Sequence, residues 1–301
     1  MFQLFYLCLD IGGTEIKLNI LDQDYQRFYP EDYHYPSHAQ SSKQDILDHF
    51  TVIIEEQLQN FKGSIQGIGF AVPGPFDYVC GISWMQGLGK YESLYQVNIA
   101  NFIQQWLISR GYPSEFPICF ENDAVAFALG EYLDGAAKQA EKIICLTLGT
   151  GCGSSFIEKG QVVRNRYGLP DNGMLYQEPF LDGVIEDYLS ARGLTRIAQQ
   201  FSLRAKDGLS LSKAAAAGSI EAKQVFHQFG LMIGTALQPY VRAFQPDCLV
   251  LGGQISKSFT LMKKGIEAGL DNQASLDIIA SPAGSWSTYK GLCYQLNQSQ
   301  K

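Results

Sequence analysis

The sequence predicts a two-domain α/β protein built on a duplicated unit. Three observations carry this reading. The chain has 301 residues, about two domains' worth at ~100–200 residues each. A strand, a tight glycine turn and a second strand occur twice, over 4–21 and over 142–164. Apolar runs alternate with stretches of helical periodicity, and three of the runs end in glycine pairs or triplets. The recurrence marks a βββαβα-type unit used twice without a true sequence repeat.

In order, Leu4 to Leu9 is an apolar run that ends at Asp10 and the Gly12-Gly13 pair, and Lys17 to Leu21 resumes with alternation. From Ser42 to Phe61, Ile46, Phe50, Ile53, Ile54 and Leu58 recur at helical spacing. Ile65 to Val72 reads as a buried strand stopped by Pro73-Gly74-Pro75, and a helix over Ile99–Arg110 is closed by Gly111. A strand at Pro117–Phe120 leads to a helix at Ala124–Leu133. In the second half, Lys142–Leu148 is a strand that breaks at Gly149-Thr150-Gly151-Cys152-Gly153, and Ser154–Glu158 and Gln161–Arg164 flank Lys159-Gly160 as a hairpin. Helices are expected at Leu181–Leu189, Gly193–Phe201, Ser210–Ala217 and Ser219–Phe244, then a strand at Asp247–Leu251 and a helix near Phe259–Leu270. A last helix begins at Trp286. The aperiodic stretch 165–182 reads as a functional loop or lid. The first boundary falls near Asn122 without a flexible linker, so a hinge is expected between domains 1–122 and 123–285, with the helix at about 286–301 packing back on the first.

Hydrophobic residues make up 46% and charged residues 18%, which excludes a largely disordered chain. Lysine and arginine number 23 against 30 acidic residues, a net charge of −7, which argues against a nucleic-acid surface but not against a locally bound nucleotide. The seven cysteines form no C-x-x-C pair, so neither a zinc ribbon nor a redox dithiol is expected, and a reducing compartment fits. The start carries no basic region of a signal peptide, and no stretch approaches ~20 apolar residues, so no membrane partner and a cytoplasmic location are expected.

Five places carry candidate chemistry. Asp10-Ile11-Gly12-Gly13-Thr14 sets a carboxylate at a strand end before two glycines and a hydroxyl. The glycines let backbone N–H groups approach a phosphate, Thr14 adds a donor, Lys17 neutralises charge, and Asp10 is suited to hold Mg²⁺ directly or through water. A plain hairpin turn accounts for the same residues. Gly149-Thr150-Gly151 is a second such turn, and the pair suggests two phosphate-gripping hairpins across a cleft. Gly252-Gly253 allows close backbone approach to a flat adenosine. Glu121-Asn122-Asp123 stands where a strand gives way to a helix. There Asp123 is either a helix N-cap or the base that takes the proton of a substrate hydroxyl attacking phosphorus, with Asn122 bonding another hydroxyl. Glu186 is either a solvated helix charge or a sugar ligand. His34, His38, His49 and His227 lie near none of these turns.

With Asp10–Thr14, Pro73-Gly74-Pro75, Glu121-Asn122-Asp123, Leu148–Gly153 and Leu251-Gly252-Gly253 in this order, the chain resembles the ROK family of sugar kinases from Leu4 to about Leu292. The resemblance implies a two-domain actin/hexokinase-like (ribonuclease H-like) α/β fold with an inter-domain cleft, ATP and Mg²⁺ as cofactors, and a sugar phosphorylated at the 6-OH. It assigns the first turn to the β- and γ-phosphates, Leu148–Gly153 to a second phosphate site and Gly252-Gly253 to adenosine. Asp123 becomes the catalytic base; Gly74, Asn122, Asp171 and Glu186 join it on the sugar side. A homodimer through the helices of the second half is the family's habit. The chain departs from the family at Asp171-Asn172-Gly173-Met174, where Met174 replaces a histidine and no cysteine cluster follows, so no zinc site is expected. Met85-Gln86-Gly87-Leu88-Gly89-Lys90-Tyr91 resembles the zinc-less, β-glucoside-kinase-like branch, which makes a substrate other than free glucose plausible. The chain begins at the phosphate strand with no basic recognition helix, so a repressor is not expected. Two further readings stay open: a sugar- or nucleotide-sensing protein that has lost catalysis, favoured by the missing histidine, and an ATPase or acyl-phosphate kinase of the same superfamily.

Overall fold

The computed structural model describes residues 3–204, 207–271 and 276–299. The expected domains also include 1–2, 205–206, 272–275 and 300–301, which lie outside the described residues. The chain divides into two compact units, one of residues up to Gly130 together with those from Ser285, the other Glu131–Gly284.

In unit 1 the elements are β1 (Phe5–Ile11), β2 (Glu15–Asp22), β3 (Tyr33–Pro36), α1 (Lys43–Asn60), β4 (Ile65–Val72), the short β5 (Phe76–Asp77) and β6 (Ile82–Ser83), α2 (Ile99–Ser109), β7 (Ile118–Asn122), α3 (Asp123–Asp134) and the C-terminal helix Ser285–Ser299. The division between units falls within α3 rather than at its first residue. The five-stranded sheet runs β3-β2-β1-β4-β7, with β1 antiparallel to β2 and parallel to β4, and β4 parallel to β7. Both faces of β1 are covered. Leu7, Leu9 and Ile11 pack with Ile46, Phe50 and Ile53 of α1, while Tyr6 and Cys8 pack with Tyr289, Leu292 and Leu296 of the C-terminal helix. A strand buried on both faces reads as a continuous apolar run, which is why β1 was legible. Its alternation also turns Asp10 toward the C-terminal helix.

Unit 2 contains β8 (Lys142–Leu148), β9 (Cys152–Glu158), β10 (Gln161–Val162), β11 (Pro179–Phe180), β12 (Gly183–Val184), α4 (Ile185–Tyr188), α5 (Ala191–Gln200), α6 (Gly208–Ala216), α7 (Ile220–Phe244), β13 (Cys248–Gly252), α8 (Phe259–Gly269) and β14 (Asp277–Ala280). Its sheet runs β10-β9-β8-β13-β14, with the same pattern of one antiparallel hairpin side and one parallel side. The duplicated unit read from the sequence is therefore present as two sheets of matching strand order. Two local readings are corrected, and two edge strands were not expected. The helix expected over 181–189 is only the single turn α4, because Leu181 takes a left-handed φ of 53° and Phe180 pairs with Gly183 as a hairpin. The strand expected at 161–164 ends at Val162. The edge strands β3 and β14 carry no clear alternation signal, since one is polar and exposed and the other is short.

Candidate active site

Unit 1 gathers its candidate residues at the C-terminal ends of β1, β4 and β7. Asp10 stands opposite Lys17 in the antiparallel register, and its carboxylate accepts a hydrogen bond from Ser285 Oγ at 2.8 Å. Desolvation pushes the Asp10 carboxyl up to about 6; the Ser285 hydroxyl and Lys17 oppose this, and the charge of Asp123 adds to it. Lys17 is itself paired with Glu15 at 3.0 Å. The turn after β1 is tight: Gly12 N donates to Glu15 O at 3.0 Å, and Ser37 Oγ donates to Gly13 O at 2.7 Å. The N–H groups of Gly13 and Thr14 have no acceptor among the described residues. Such adjacent open donors suit an anion.

At the β7–α3 junction the two polar residues divide the work. Asn122 Oδ1 accepts from the N–H groups of Ala124 at 3.0 Å and Val125 at 3.3 Å, which is the helix-capping role. Asn122 Nδ2 donates to Tyr78 Oη at 3.0 Å, and Tyr78 Oη donates to Val72 O at 3.2 Å. A Cβ on Gly74 would lie 3.2 Å from the same Tyr78 oxygen, so Gly74 belongs to this cluster. Glu121 accepts from Asn122 N at 2.8 Å and from Gln295 Nε2, and is buried. Asp123 Oδ1 accepts from Ala124 N at 2.9 Å, its own backbone N–H also acts on the carboxylate, and no side chain among the described residues donates to it. Desolvation raises its carboxyl above the usual value, opposed by the Ala124 N–H and by Lys90. An acceptor with a raised pKa and no side-chain donor is equipped to receive a proton.

Unit 2 places its glycine turns side by side. Leu148 pairs with Cys152 across the β8–β9 turn, and the N–H groups of Thr150 and Gly151 have no acceptor among the described residues. Gly253 follows β13 with φ at 83°, and a Cβ there would stand 2.3 Å from Leu148 O, so only glycine lets the two strand ends lie this close. Glu186, on α4, accepts from Cys152 N at 3.1 Å, and a Cβ on Gly151 would meet its carboxylate at 2.6 Å. Glu186 thus lies against the second glycine turn rather than on a solvated helix face. Asp171 is exposed and has no hydrogen bond or ion pair among the described residues; Met174 is half-buried beyond it.

The structure therefore assembles Asp10, Gly12–Thr14, Lys17, Gly74, Asn122 and Asp123 in unit 1, and Gly149–Gly151, Gly252–Gly253 and Glu186 in unit 2, while Asp171 makes no hydrogen bond or ion pair among the described residues. Sequence reading missed Tyr78, Ser285 and Lys90 as members. Tyr78 and Ser285 sit in segments without periodicity, and only the Gly-rich surroundings of Lys90 marked its loop. Among the described residues no three His, Cys, Asp or Glu side chains stand together as a metal cage, and no helix is long and apolar enough to cross a membrane. A divalent cation here would be held by Asp10 with water and ligand oxygens completing its shell, the manner usual for Mg²⁺. The partly desolvated, mutually repelling Asp10 and Asp123 fit such a cation.

Two sheets of matching order with glycine turns at their strand ends define the duplicated, actin-like α/β class. Within it, residues 6–280 match the ROK family model, and the chain belongs to the ROK family. It is similar to a glucokinase of Halalkalibacterium halodurans, 24% identical with 89% of this chain and 85% of that protein covered. An N-acetyl-D-glucosamine kinase of Haemophilus influenzae is 23% identical over 83% of this chain and 84% of its own. The fold matches that of a ROK family glucokinase from Streptomyces griseus solved with glucose and AMPPNP, at a TM-score of 0.77, 20% identity and coverage of 98% and 99%.

Proposed function

We propose that the protein is an ATP-dependent sugar kinase, transferring a phosphoryl group to a hydroxyl of a hexose or hexose derivative, the 6-OH by the family's habit. The observation that carries this is the division of labour at the β7–α3 junction: Asn122 caps the helix, which leaves the Asp123 carboxylate without a side-chain donor and close enough to Asp10 for its charge to be felt there. In this reading Asp123 accepts the hydroxyl proton as the sugar oxygen attacks phosphorus, and its raised pKa strengthens it as a base. Asn122 and Gly74 border the sugar, and Glu186 holds sugar hydroxyls by charge-assisted hydrogen bonds. Asp171, exposed and unpartnered among the described residues, is available to one more hydroxyl. The open N–H groups of Gly13, Thr14, Thr150 and Gly151 suit phosphate oxygens, and the Gly252–Gly253 backbone suits a purine face. Mg²⁺ held near Asp10 supplies neutralisation of phosphate charge.

A coupled ADP-release assay over hexoses, N-acylated amino sugars and β-glucosides tests the reading. Sugar-dependent ADP release with at least one class, abolished in Asp123→Asn, is expected. Absence of turnover on every sugar, with sugars still raising the melting temperature, would establish the sensing alternative instead.

A further inference from the structure

Lys90 lies on the loop between β6 and α2, and its backbone is fixed from both sides. Gly89 N donates to Glu92 Oε1 at 2.8 Å, Tyr91 N donates to Ala39 O at 2.6 Å, and Tyr91 Oη donates to Gly12 O at 2.9 Å. This tethers the loop directly to the turn after β1. The Lys90 stem consequently crosses Gly13: a Cβ on that glycine would stand 3.0 Å from Lys90 Cδ. The ammonium has no ion pair among the described residues, whereas Lys17, the other cation of the cluster, is engaged by Glu15 at 3.0 Å. Gly13, which the Lys90 stem crosses, and Thr14 after it keep open N–H groups, and the Lys90 charge is felt at the Asp123 carboxylate. An unpaired ammonium on a stem that crosses a turn with unfilled N–H donors, its charge reaching a proton acceptor, is complementary to an anionic group attached to an alcohol.

We propose that Lys90 is a catalytic residue whose ammonium, carried over the Gly12-Gly13-Thr14 turn, binds the phosphoryl group in transit from nucleotide to sugar. The inference rests on the kinase reading above for the acceptor, but its contact with a terminal phosphate stands on its own. In the step, the sugar oxygen forms a bond to phosphorus and the bond to the bridging oxygen breaks, its electron pair leaving with the nucleoside diphosphate. The hydroxyl proton passes to Asp123. Lys90 stays protonated throughout and donates hydrogen bonds to the non-bridging oxygens.

The test compares wild type, Lys90→Met and Lys90→Arg by calorimetric binding of ADP and of a non-hydrolysable ATP analogue with Mg²⁺, and by steady-state kinetics. Lys90→Met is expected to lower affinity for the analogue about tenfold with ADP affinity unchanged. Its kcat should fall about 100-fold, the usual loss for one transition-state donor, with sugar KM little moved. Lys90→Arg should recover much of both. Wild-type analogue binding and kcat in Lys90→Met, or equal loss of ADP and analogue, would overturn the inference and leave the kinase reading standing. Loss of analogue selectivity in a protein that phosphorylates no sugar would uphold the Lys90 contact while the kinase reading falls. A wild type that binds neither nucleotide overturns both.

Discussion

The turn after β1 and the turn after β8 occupy the same place in sheets of the same strand order, yet they are chemically unlike. Asp10-Ile11-Gly12 precedes the first turn and Thr147-Leu148-Gly149 the second, so a carboxylate in one unit answers to a hydroxyl in the other. In unit 1 the carboxylates belong to the strand ends themselves, and desolvation raises both Asp10 and Asp123. In unit 2 the carboxylate arrives from outside the sheet, on Glu186, and is already satisfied in part by Cys152 N. Both turns keep two unfilled N–H groups. The difference teaches that the duplicated scaffold supplies a turn with open N–H groups twice, while the carboxylates raised by desolvation, Asp10 and Asp123, stand at the strand ends of one unit.

The sharpest way to break that contrast is Asp123→Asn. It should lower kcat by about 10²–10⁴-fold while nucleotide affinity stays nearly unchanged, measured by ADP release and calorimetry. As the proposed base, Asp123 should give the wild type's pH–activity profile an acid limb above the ordinary carboxylate range, because its raised carboxyl would have to be ionised to accept the proton. Next comes a pair of glycine variants in unit 2. Gly253→Ala forces a Cβ against Leu148 O at a left-handed φ and should cost about 1–3 kcal/mol in a denaturant melt. Gly149→Ala meets nothing within 4 Å and should melt like wild type, so any loss of nucleotide affinity there reports ligand contact alone.

In unit 1, Asp10→Asn should stabilise. The native carboxyl titrates at about 6 against an ordinary 3.8, so the folded state binds its proton more tightly than the unfolded chain. Stability from this group is complete below the ordinary value and is lost as pH rises through about 6. The variant should therefore gain about 2 kcal/mol at pH 7–8, a gain that vanishes toward pH 4 in thermal melts, while turnover collapses. The smallest effect is expected for Glu186→Gln, about a tenfold rise in sugar KM with little change in melting temperature. A large stability loss there would recast Glu186 as a strut for the second turn.

Periodicity made the long elements readable. Helix α1 runs Lys43–Asn60 under the Ser42 cap, and α7 runs Ile220–Phe244 under Ser219, both close to the expected spans. Glycine punctuation located the turns. The single turn α4 was over-read as a helix because the apolar spacing of 181–189 carries no sign of the left-handed Leu181 that breaks it. The site was legible where chemistry clusters along the chain, as at Asp10–Thr14 and Glu121–Asp123. It was illegible where partners are remote: Ser285 meets Asp10 across 275 positions, and Tyr91 meets Gly12 across 79.

By itself the sequence determined the doubled α/β plan, the three glycine turns and the carboxylates beside them, since hydrophobic period and glycine placement are local properties of the chain. Only the tertiary structure decided which of Asn122 and Asp123 caps α3, that Glu186 rests on the second turn, and that Lys90 crosses the first. Those choices depend on which side chains reach the same few ångströms of space, and that is fixed by sheet register and loop tethering rather than by any spacing along the chain.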